Sequence, residues 1–508
     1  MLVGIETRRG LKILARVDRI VPVNEFFQEG DPWSELRRRG EDVSIIRVAG
    51  RRYTVIEMSL IGAVERGSIS DVRFPPEPGD PVVSLGKDNI FEKILNLDRD
   101  SEGIVWFGSI LGYEDAPLPL IVENITMHIG VFGETGSGKS YTVGYLIELL
   151  SSIPTGREGV RVAIPTIVVD ANGDYVDFHE VYIAKRRGLG AFNKVYRFVF
   201  EKSPVRAKPF TKIIRIDLDE FTARELAEFI VIYRSGGVEV SELQVSALER
   251  VLHELGEVYG YTELFTNRVH EIYEALSSLS HREHGFHPQT LRAVRSAVEK
   301  FYRDIVENYK LVAREPTIGS DLIDEITSRP SLVILDFSAE GAPGIPLPVK
   351  QLVIGYLARL LYRKFTEYKV RGDERYLLFV IEEAQNYAPN PRTYPVTWSL
   401  ARDYLALIAT QGRKFGICLA IVSQRPIFVD PVVLSMLNTW FIHRITPDDA
   451  TYILKLTGVS QTIERKLVRL PRGVVLIAGQ MNAIGVPMLV KVGKRSIPHR
   501  IGSTGLIK

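Results

Sequence analysis

The stretch that decides the fold is HIGVFGETGSGKS, residues 128–140, and its second part, GETGSGKS at 133–140, fits G-x-x-x-x-G-K-[ST] without deviation. Glycines let such a loop curl until successive backbone N–H groups face phosphate oxygens. The lysine, Lys139, then reaches the β- and γ-phosphates, and the hydroxyl of Ser140 can ligate a metal. This stretch therefore predicts a site for ATP and Mg²⁺, with Lys139 also serving catalysis.

The residues on both sides of the loop supply the context that the motif requires. MHIGVF, at 127–132, is a short apolar run typical of a buried parallel strand, and an amphipathic helix is predicted after the loop. A strand, a glycine-rich turn and a helix in this order bring the phosphates to a helix N-terminus. The residues predicted to contact the nucleotide are Gly133, Thr135, Gly136, Ser137, Gly138, Lys139, Ser140 and Tyr141.

A second element with catalytic residue types is YLLFVIEEAQ, residues 376–385. An apolar strand that ends in two carboxylates is typical of a Walker B element, because ligands of open α/β sheets bind at the carboxyl ends of the strands. Glu382 is predicted to hold Mg²⁺, although many such enzymes carry Asp here. Glu383 is predicted to orient and polarise the attacking water. A surface pair of acids after a core strand is the alternative interpretation.

Two further segments follow apolar strands. Gln424, in SQRP at 423–426, is a candidate sensor of the γ-phosphate, and an ordinary turn closed by Pro426 is the alternative. Asp170 ends the apolar run PTIVVD, 165–170, and is a candidate catalytic residue that assists the metal or the water. A turn that Asp170 closes together with the Asn and Gly after it fits the same residues.

Basic residues occur at two candidate functional positions. Arg413, in QGRKFG at 411–416, lies at the end of a helix predicted over 399–415. It fits either a complement to the helix dipole or an arginine finger that stabilises the transition state in a neighbouring subunit. The run AKRRG, 184–188, brings Lys185, Arg186 and Arg187 together as candidate contacts to a DNA backbone, and a solvated surface is the alternative.

Composition limits the class of protein more than its function. With 508 residues, two or three domains are expected. The net charge of +2 does not by itself indicate nucleic-acid binding, and it does not exclude a local basic surface. The one cysteine, Cys418, cannot support a disulfide framework, and the sequence contains no apolar run of about 18 residues. We therefore expect a cytoplasmic protein without membrane contact.

The order of predicted elements indicates an α/β protein with three parts. Residues 1–110 contain short strand patterns separated by Gly, Pro and Asp, which predict a small β-barrel or a β-sandwich. Residues 111–180 and 330–508 alternate buried strands with amphipathic helices, which predicts a parallel sheet covered on both faces. Residues 181–329 carry helical periodicity with few strand signals, so we predict an inserted helical subdomain.

These motifs, in this order, resemble the HerA branch of the HerA–FtsK ATPases. The matching stretches are HIGVFGETGSGKS, DANGDY, FVIEEAQNYAP, QGRKFG, SQRP, GVVLIAG and VPMLVKV, and together they span nearly the whole chain. The sequence departs at DANGDY, 170–175, where relatives commonly have His before the Gly and Glu after it. The resemblance implies a RecA-like core with one strand between the P-loop and Walker B strands, a small N-terminal barrel and an inserted helical bundle.

The resemblance also implies a function. It implies a hexameric ring around double-stranded DNA that translocates or unwinds it with ATP, working with a NurA-type nuclease in DNA end resection. In that comparison Glu383 is the catalytic carboxylate, Gln424 the sensor and Arg413 an arginine that acts on the neighbouring subunit. Two other functions fit the same motifs: a secretion or conjugation ATPase of the same superfamily, and an ATP-gated DNA clamp without motor activity.

Overall fold

The computed structural model describes residues 2–24, 35, 38–40, 52–65, 67–86, 90–113, 115–185, 188–236, 241–279, 285–396, 398–457, 459 and 463–499. The chain divides into two compact units. The first unit comprises Met1–Asp98, Ser109–Leu118 and Ile484–Val486, and the second comprises Arg99–Gly108, Pro119–Ala483 and Pro487–Lys508.

The strands, in chain order, are β1 (Leu2–Glu6), β2 (Lys12–Asn24), β3 (Arg52–Glu65), β4 (Ser68–Ser70), β5 (Val82–Ser84), β6 (Ile104–Phe107), β7 (Ser109–Ile110), β8 (Leu118–Ile121), β9 (Ile129–Phe132), β10 (Ile153–Pro154), β11 (Arg161–Val162), β12 (Thr166–Asp170), β13 (Val195–Val199), β14 (Thr211–Ile213), β15 (Leu332–Asp336), β16 (Leu377–Ile381), β17 (Ile417–Ser423), β18 (Thr439–Ile442), β19 (Val474–Gly479) and β20 (Met488–Lys491).

The α-helices are α1 (Ile90–Leu95), α2 (Lys139–Leu150), α3 (Val176–Ile183), α4 (Ala223–Ser235), α5 (Glu242–Tyr259), α6 (Tyr261–Asn267), α7 (Val269–Ser278), α8 (Pro288–Phe301), α9 (Ser320–Ser328), α10 (Leu347–Arg371), α11 (Ala401–Phe415), α12 (Pro431–Ser435), α13 (Pro447–Thr457) and α14 (Glu464–Leu467). A π-helical turn, Tyr302–Asn308, extends α8.

The first unit is built on an antiparallel sheet in the order β4-β3-β2-β1-β5. Two of its strands are longer than the sequence pattern suggested, since β2 has 13 residues and β3 has 14. Its small core contains Val3, Ile5, Ile13 and Ala15. The described pairings leave β4 and β5 as the sheet edges, so closure of this sheet into a barrel remains a prediction.

The second unit contains a large mixed sheet whose strands run in the order β14-β13-β15-β12-β16-β17-β9-β18-β19-β20. Neighbours from β14 to β18 are parallel, whereas β19 is antiparallel to both β18 and β20. The sequence predicted a parallel sheet, and the antiparallel strands at its end are a correction to that prediction. Strand β17 lies between β9, which precedes the P-loop, and β16, which ends at the two glutamates. This is the strand arrangement that the family resemblance implies.

The segment 181–329, which was predicted to be a helical subdomain with few strand signals, also contains two strands. It contains the helices from α4 to α9, but β13 and β14 come before them and extend the large sheet. The pattern did not reveal β13 because Arg197 interrupts the apolar run VYRFV. That arginine is fully buried and pairs with Asp336 at the end of the adjacent strand β15. The partner that makes this burial possible is thus remote in the sequence.

Candidate nucleotide-binding site

The P-loop connects β9 to α2 and curls back on itself. Gly136 and Gly138 adopt φ values of 77° and 116°, which side chains other than glycine rarely tolerate. Lys139 begins α2, and its Nζ donates to the carbonyl oxygens of Gly133 at 2.7 Å and Glu134 at 3.2 Å. Burial lowers the pKa of Lys139, while the charge of Glu383 opposes that shift. The ammonium group therefore lies at the loop that is predicted to wrap the phosphates.

The two residues that follow β18, His443 and Arg444, contact the P-loop. The backbone N–H of Glu134 donates to the Arg444 carbonyl at 2.8 Å, and its carboxylate pairs with the Arg444 guanidinium at 3.0 Å. A Cβ at Gly133 would lie 2.6 Å from the Cβ of His443, so a side chain there would clash. Burial and the charge of Lys139 lower the pKa of His443 to about 3. In the sequence, the only signal of this support is the pair of polar residues that follows the apolar β18.

The two residues predicted to hold the metal lie next to each other. The Ser140 hydroxyl donates to Glu382 Oε1 at 2.8 Å, and the N–H of Ala171 donates to Oε2 at 3.1 Å. Glu382 is only 2% exposed, and burial together with Asp170 and Asp174 raises its pKa well above the ordinary value. A hydroxyl and a carboxylate oxygen fit Mg²⁺, which usually takes its other ligands from phosphate and water. In the described ranges, no group of three or more His, Cys, Asp or Glu side chains could hold a metal ion by itself.

A chain of hydrogen bonds connects the second glutamate to the P-loop. Glu383 Oε1 accepts from the amide of Gln424 at 3.0 Å, and the Gln424 Oε1 accepts from the Thr135 hydroxyl at 3.0 Å. The other oxygen of Glu383 accepts from Gln385 at 2.5 Å. Glu383 has φ 50°, a left-handed conformation that is unfavourable for a glutamate and is often found at functional sites. The predicted catalytic residue and the predicted sensor are therefore in direct contact.

Asp170 lies beside these groups, but its carboxylate is bound to its own loop. Oδ1 accepts from the N–H groups of Gly173 at 2.7 Å and Asp174 at 2.9 Å, and Oδ2 accepts from Tyr175 at 2.9 Å. Burial and the charge of Asp336 raise the pKa of Asp170 to about 7. These bonds favour the turn-closing role. Asp174, which the sequence analysis did not select, is one of the charges that act on both Lys139 and Glu382.

Arg413 is remote from the nucleotide site of its own chain. It is exposed in the last turn of α11, directly before β17 begins. Gln424 follows the other end of β17, where Ser423 pairs with Phe132 beside the P-loop. Seven residues of strand separate the two ends, which at about 3.3 Å per residue is about 20 Å. Arg413 therefore lies near the amino end of β17, whereas the P-loop lies at the carboxyl end of the same strand.

Two further candidates, Tyr141 and Lys185, lie in the described part of the chain. Tyr141 is partly buried, and its hydroxyl donates to the Gly493 carbonyl at 3.2 Å and accepts from the Arg495 N–H at 2.9 Å. Lys185 is exposed after α3, and Arg186 and Arg187 lie outside the described residues.

Comparison with known protein families identifies a family model that matches this chain. Residues 105–361 match the model described as "Helicase HerA, central domain". This chain belongs to the HerA helicase family. It is 27% identical over 437 residues to a DNA double-strand break repair helicase HerA of Sulfurisphaera tokodaii, covering 84% of this chain and 76% of that protein. A probable helicase of Methanocaldococcus jannaschii is 24% identical over 493 residues, covering 95% and 88% of the two chains.

Solved structures with the same fold include VirB4 and a conjugative coupling protein. VirB4 of Thermoanaerobacter pseudethanolicus has a TM-score of 0.50 and 16% identity, covering 78% of this chain and 97% of that chain. The bacterial conjugative coupling protein TrwB has the same TM-score with 14% identity, covering 80% and 92%. This chain therefore has an α/β P-loop fold. Its membership of the HerA helicase family makes it an ATP-hydrolysing enzyme. None of the helices in the described part of the chain combines the length and apolar character needed to cross a membrane.

Proposed function

We propose that this HerA chain is an ATP-driven translocase that moves along double-stranded DNA as a hexameric ring. The observation that carries the proposal is the position of Arg413, exposed and about 20 Å along β17 from the catalytic groups of its own chain. An arginine placed there cannot stabilise charge on its own nucleotide, but a ring of identical subunits can bring it to the next one. ATP hydrolysis would then depend on contact between subunits.

Lys139, Glu383 and Gln424 would provide the hydrolytic groups of each site. Lys139 binds and neutralises phosphate charge, Glu383 orients the attacking water, and Gln424 connects that carboxylate to Thr135 of the P-loop. A bound Mg²⁺, held by Ser140 and Glu382, would supply further charge neutralisation on the phosphates. Through the hydrogen bonds from Thr135 to Gln424 and from Gln424 to Glu383, loss of the γ-phosphate would change the position of Gln424 and of the residues that follow it.

The biological setting is proposed from the relatives. Several are named DNA double-strand break repair helicases, and we propose the same role for this chain, in the cytoplasm and with a NurA-type nuclease that cuts the DNA. We further propose that the first unit forms a barrel and that the helices from α4 to α9 are the helical insert. Lys185, Arg186 and Arg187 are proposed contacts to the DNA backbone.

The test is ATP hydrolysis with and without linear duplex DNA. Wild type is compared with Arg413→Ala, Lys139→Ala and a one-to-one mixture of the two, and Lys414→Ala, an exposed cation in the same turn, is the matched control. We expect DNA to stimulate the wild type, both single variants to be inactive, the mixture to recover part of the activity and Lys414→Ala to resemble wild type. Normal hydrolysis by Arg413→Ala without any DNA effect would contradict the proposal.

A secretion or conjugation ATPase is the second candidate, because the conjugative coupling protein TrwB shares this fold. Likeness of fold alone does not favour it over the HerA relatives, which match by sequence over most of the chain. A DNA clamp without motor activity is the third. A Glu383→Gln protein that still supports DNA processing with its nuclease would favour the clamp over the translocase.

A further inference from the structure

His128 is a buried residue of the P-loop strand that takes no part in the proposed chemistry. It directly precedes β9 and is only 2% exposed. Its Nδ1 accepts from the backbone N–H of Leu419 in β17 at 3.0 Å. Its Nε2 lies 2.9 Å from the carbonyl oxygen of Ala409 in α11. Since Nδ1 is the acceptor, Nε2 carries the proton and donates to Ala409, so the neutral ring uses both nitrogens.

The backbone of His128 is also fixed in place by its conformation and its hydrogen bonds. His128 has φ 62°, a left-handed conformation that a non-glycine residue adopts only when its surroundings enforce it. Its backbone N–H donates to Ile125 at 3.2 Å, and its carbonyl accepts from Thr439 at 3.2 Å. Burial lowers its pKa to about 4, and the charge of Arg413 acts in the same direction. The neutral ring and its two bonds are therefore kept at neutral pH.

The carbonyl that accepts from His128 is one turn before the proposed arginine finger. Ala409 and Arg413 are four residues apart in α11 and thus share one face of the helix. Other contacts attach this end of α11 to α10, since the Tyr362 hydroxyl donates to Gln411 at 2.7 Å and the Tyr362 ring packs on Phe415. His128 attaches the same end to the P-loop strand.

We propose that His128 is a positioning residue that sets the last turn of α11 against the P-loop strand and thereby places Arg413 for the nucleotide of the neighbouring subunit. The inference rests on the proposed function, because it requires that Arg413 acts across an interface. It adds a connection between neighbouring nucleotide sites of the hexamer. The strand that leads into the P-loop of one site would also orient the arginine that acts on the nucleotide of the neighbouring subunit. A buried histidine that only fills the core is the competing explanation.

Two substitutions separate the two bonds of the ring. In His128→Asn the amide oxygen can replace Nδ1 and accept from Leu419, but no donor reaches Ala409. In His128→Gln the longer amide can replace Nε2 and donate to Ala409. We expect His128→Asn to bind ATP like the wild type and to hydrolyse it about 10- to 100-fold more slowly, the loss that follows when a catalytic group is misplaced by about 1 Å. His128→Gln should recover part of this loss.

The deciding measurement is complementation. In a one-to-one mixture of His128→Asn with Lys139→Ala, sites with an intact P-loop receive correctly placed arginines from their Lys139→Ala neighbours. We expect hydrolysis above the sum of the two proteins alone, as with the Arg413→Ala and Lys139→Ala mixture run in parallel. A defect within the P-loop of the His128→Asn subunit would give no recovery.

The outcomes distinguish this inference from the proposed function. If the Arg413→Ala mixture recovers and the His128→Asn mixture does not, or if His128→Asn hydrolyses ATP like the wild type, the positioning role is wrong and shared sites still stand. If neither mixture recovers, sites shared between subunits are wrong and the inference fails with them. Folding of His128→Asn is checked by circular dichroism. If this variant does not fold, the same mixture is made with His128→Phe, which removes both hydrogen bonds, and its result decides in the same way. If His128→Phe does not fold either, His128 is a core residue and the inference is overturned.

Discussion

At the scale of single residues, the site is organised around Glu383. Its two carboxylate oxygens accept from Gln424 and Gln385, and its backbone is held in a left-handed conformation at φ 50°. Such restraint is what a residue needs when it must hold a water molecule at a fixed position against the γ-phosphate.

We predict that Glu383→Gln lowers the kcat of ATP hydrolysis by about 10²- to 10⁴-fold, because the amide cannot accept a proton from the attacking water. ATP affinity should change little, since Lys139 and the P-loop are untouched. The measurement is steady-state hydrolysis beside equilibrium nucleotide binding. Glu374→Gln, an exposed acid before the same strand, is the control and should retain wild-type kcat. A loss of ATP binding that parallels the loss of kcat would contradict the assignment.

The sequence could predict the site residues whose chemistry depends on local spacing. Lys139 and Ser140 belong to a motif, and Glu382 follows an apolar strand that can only be buried. His443 and His128 could not be predicted, because their roles depend on parallel pairing of β18 and β17 with β9. A polar residue within or beside an apolar strand looks the same in sequence whether it supports a loop or fills a core.

At the scale of elements, a buried ion pair joins two strands near one edge of the large sheet. Arg197, in β13, donates to Asp336 of β15 at 2.5 Å and to Glu340 at 2.5 Å, and its side chain is fully buried. The sequence separation of 139 residues between Arg197 and Asp336 explains why β13 was not predicted. Propensity rules weigh an arginine inside a short strand against it and cannot include a distant carboxylate.

We predict that Arg197→Met lowers the free energy of unfolding of the second unit by about 3 to 5 kcal/mol, since it leaves the Asp336 carboxylate buried without its partner. Arg206→Met is the matched control, because Arg206 is 54% exposed and lies 3.9 Å from Glu201. It should change the same free energy by less than about 1 kcal/mol. Urea denaturation followed by circular dichroism measures both. Equal midpoints for the two variants would show that the buried pair does not hold this edge.

At the scale of the whole molecule, buried titratable groups make the stability depend on pH in two opposing ways. Burial lowers the pKa of His128 and of His179 to about 4, and it raises the pKa of Asp170 to about 7. The two buried histidines cost no stability above pH 6.5, where the unfolded chain is also neutral, and they lower the stability as the pH falls below that value. The buried Asp170 carboxyl costs no stability at low pH, where the unfolded chain is also protonated, and it lowers the stability as the pH rises toward 7. Because these contributions oppose one another, the effect of a single group is best measured as the difference between a variant and the wild type.

His179 is the group to remove, because it lies in α3, where its Nε2 is 2.9 Å from the Pro209 carbonyl oxygen. Between pH 6.5 and 4 the unfolded chain binds a proton that the folded site excludes, so this residue costs about 2 kcal/mol of stability at pH 5 relative to pH 7.5. We predict that His179→Gln, whose amide can still donate to Pro209, reduces the loss of stability on acidification by about that amount in urea denaturation at the two pH values. His253→Gln, at an exposed helix position, should leave the difference unchanged. If both variants follow the wild-type profile, His179 titrates alike in the folded and unfolded chains, and burial does not control its proton affinity.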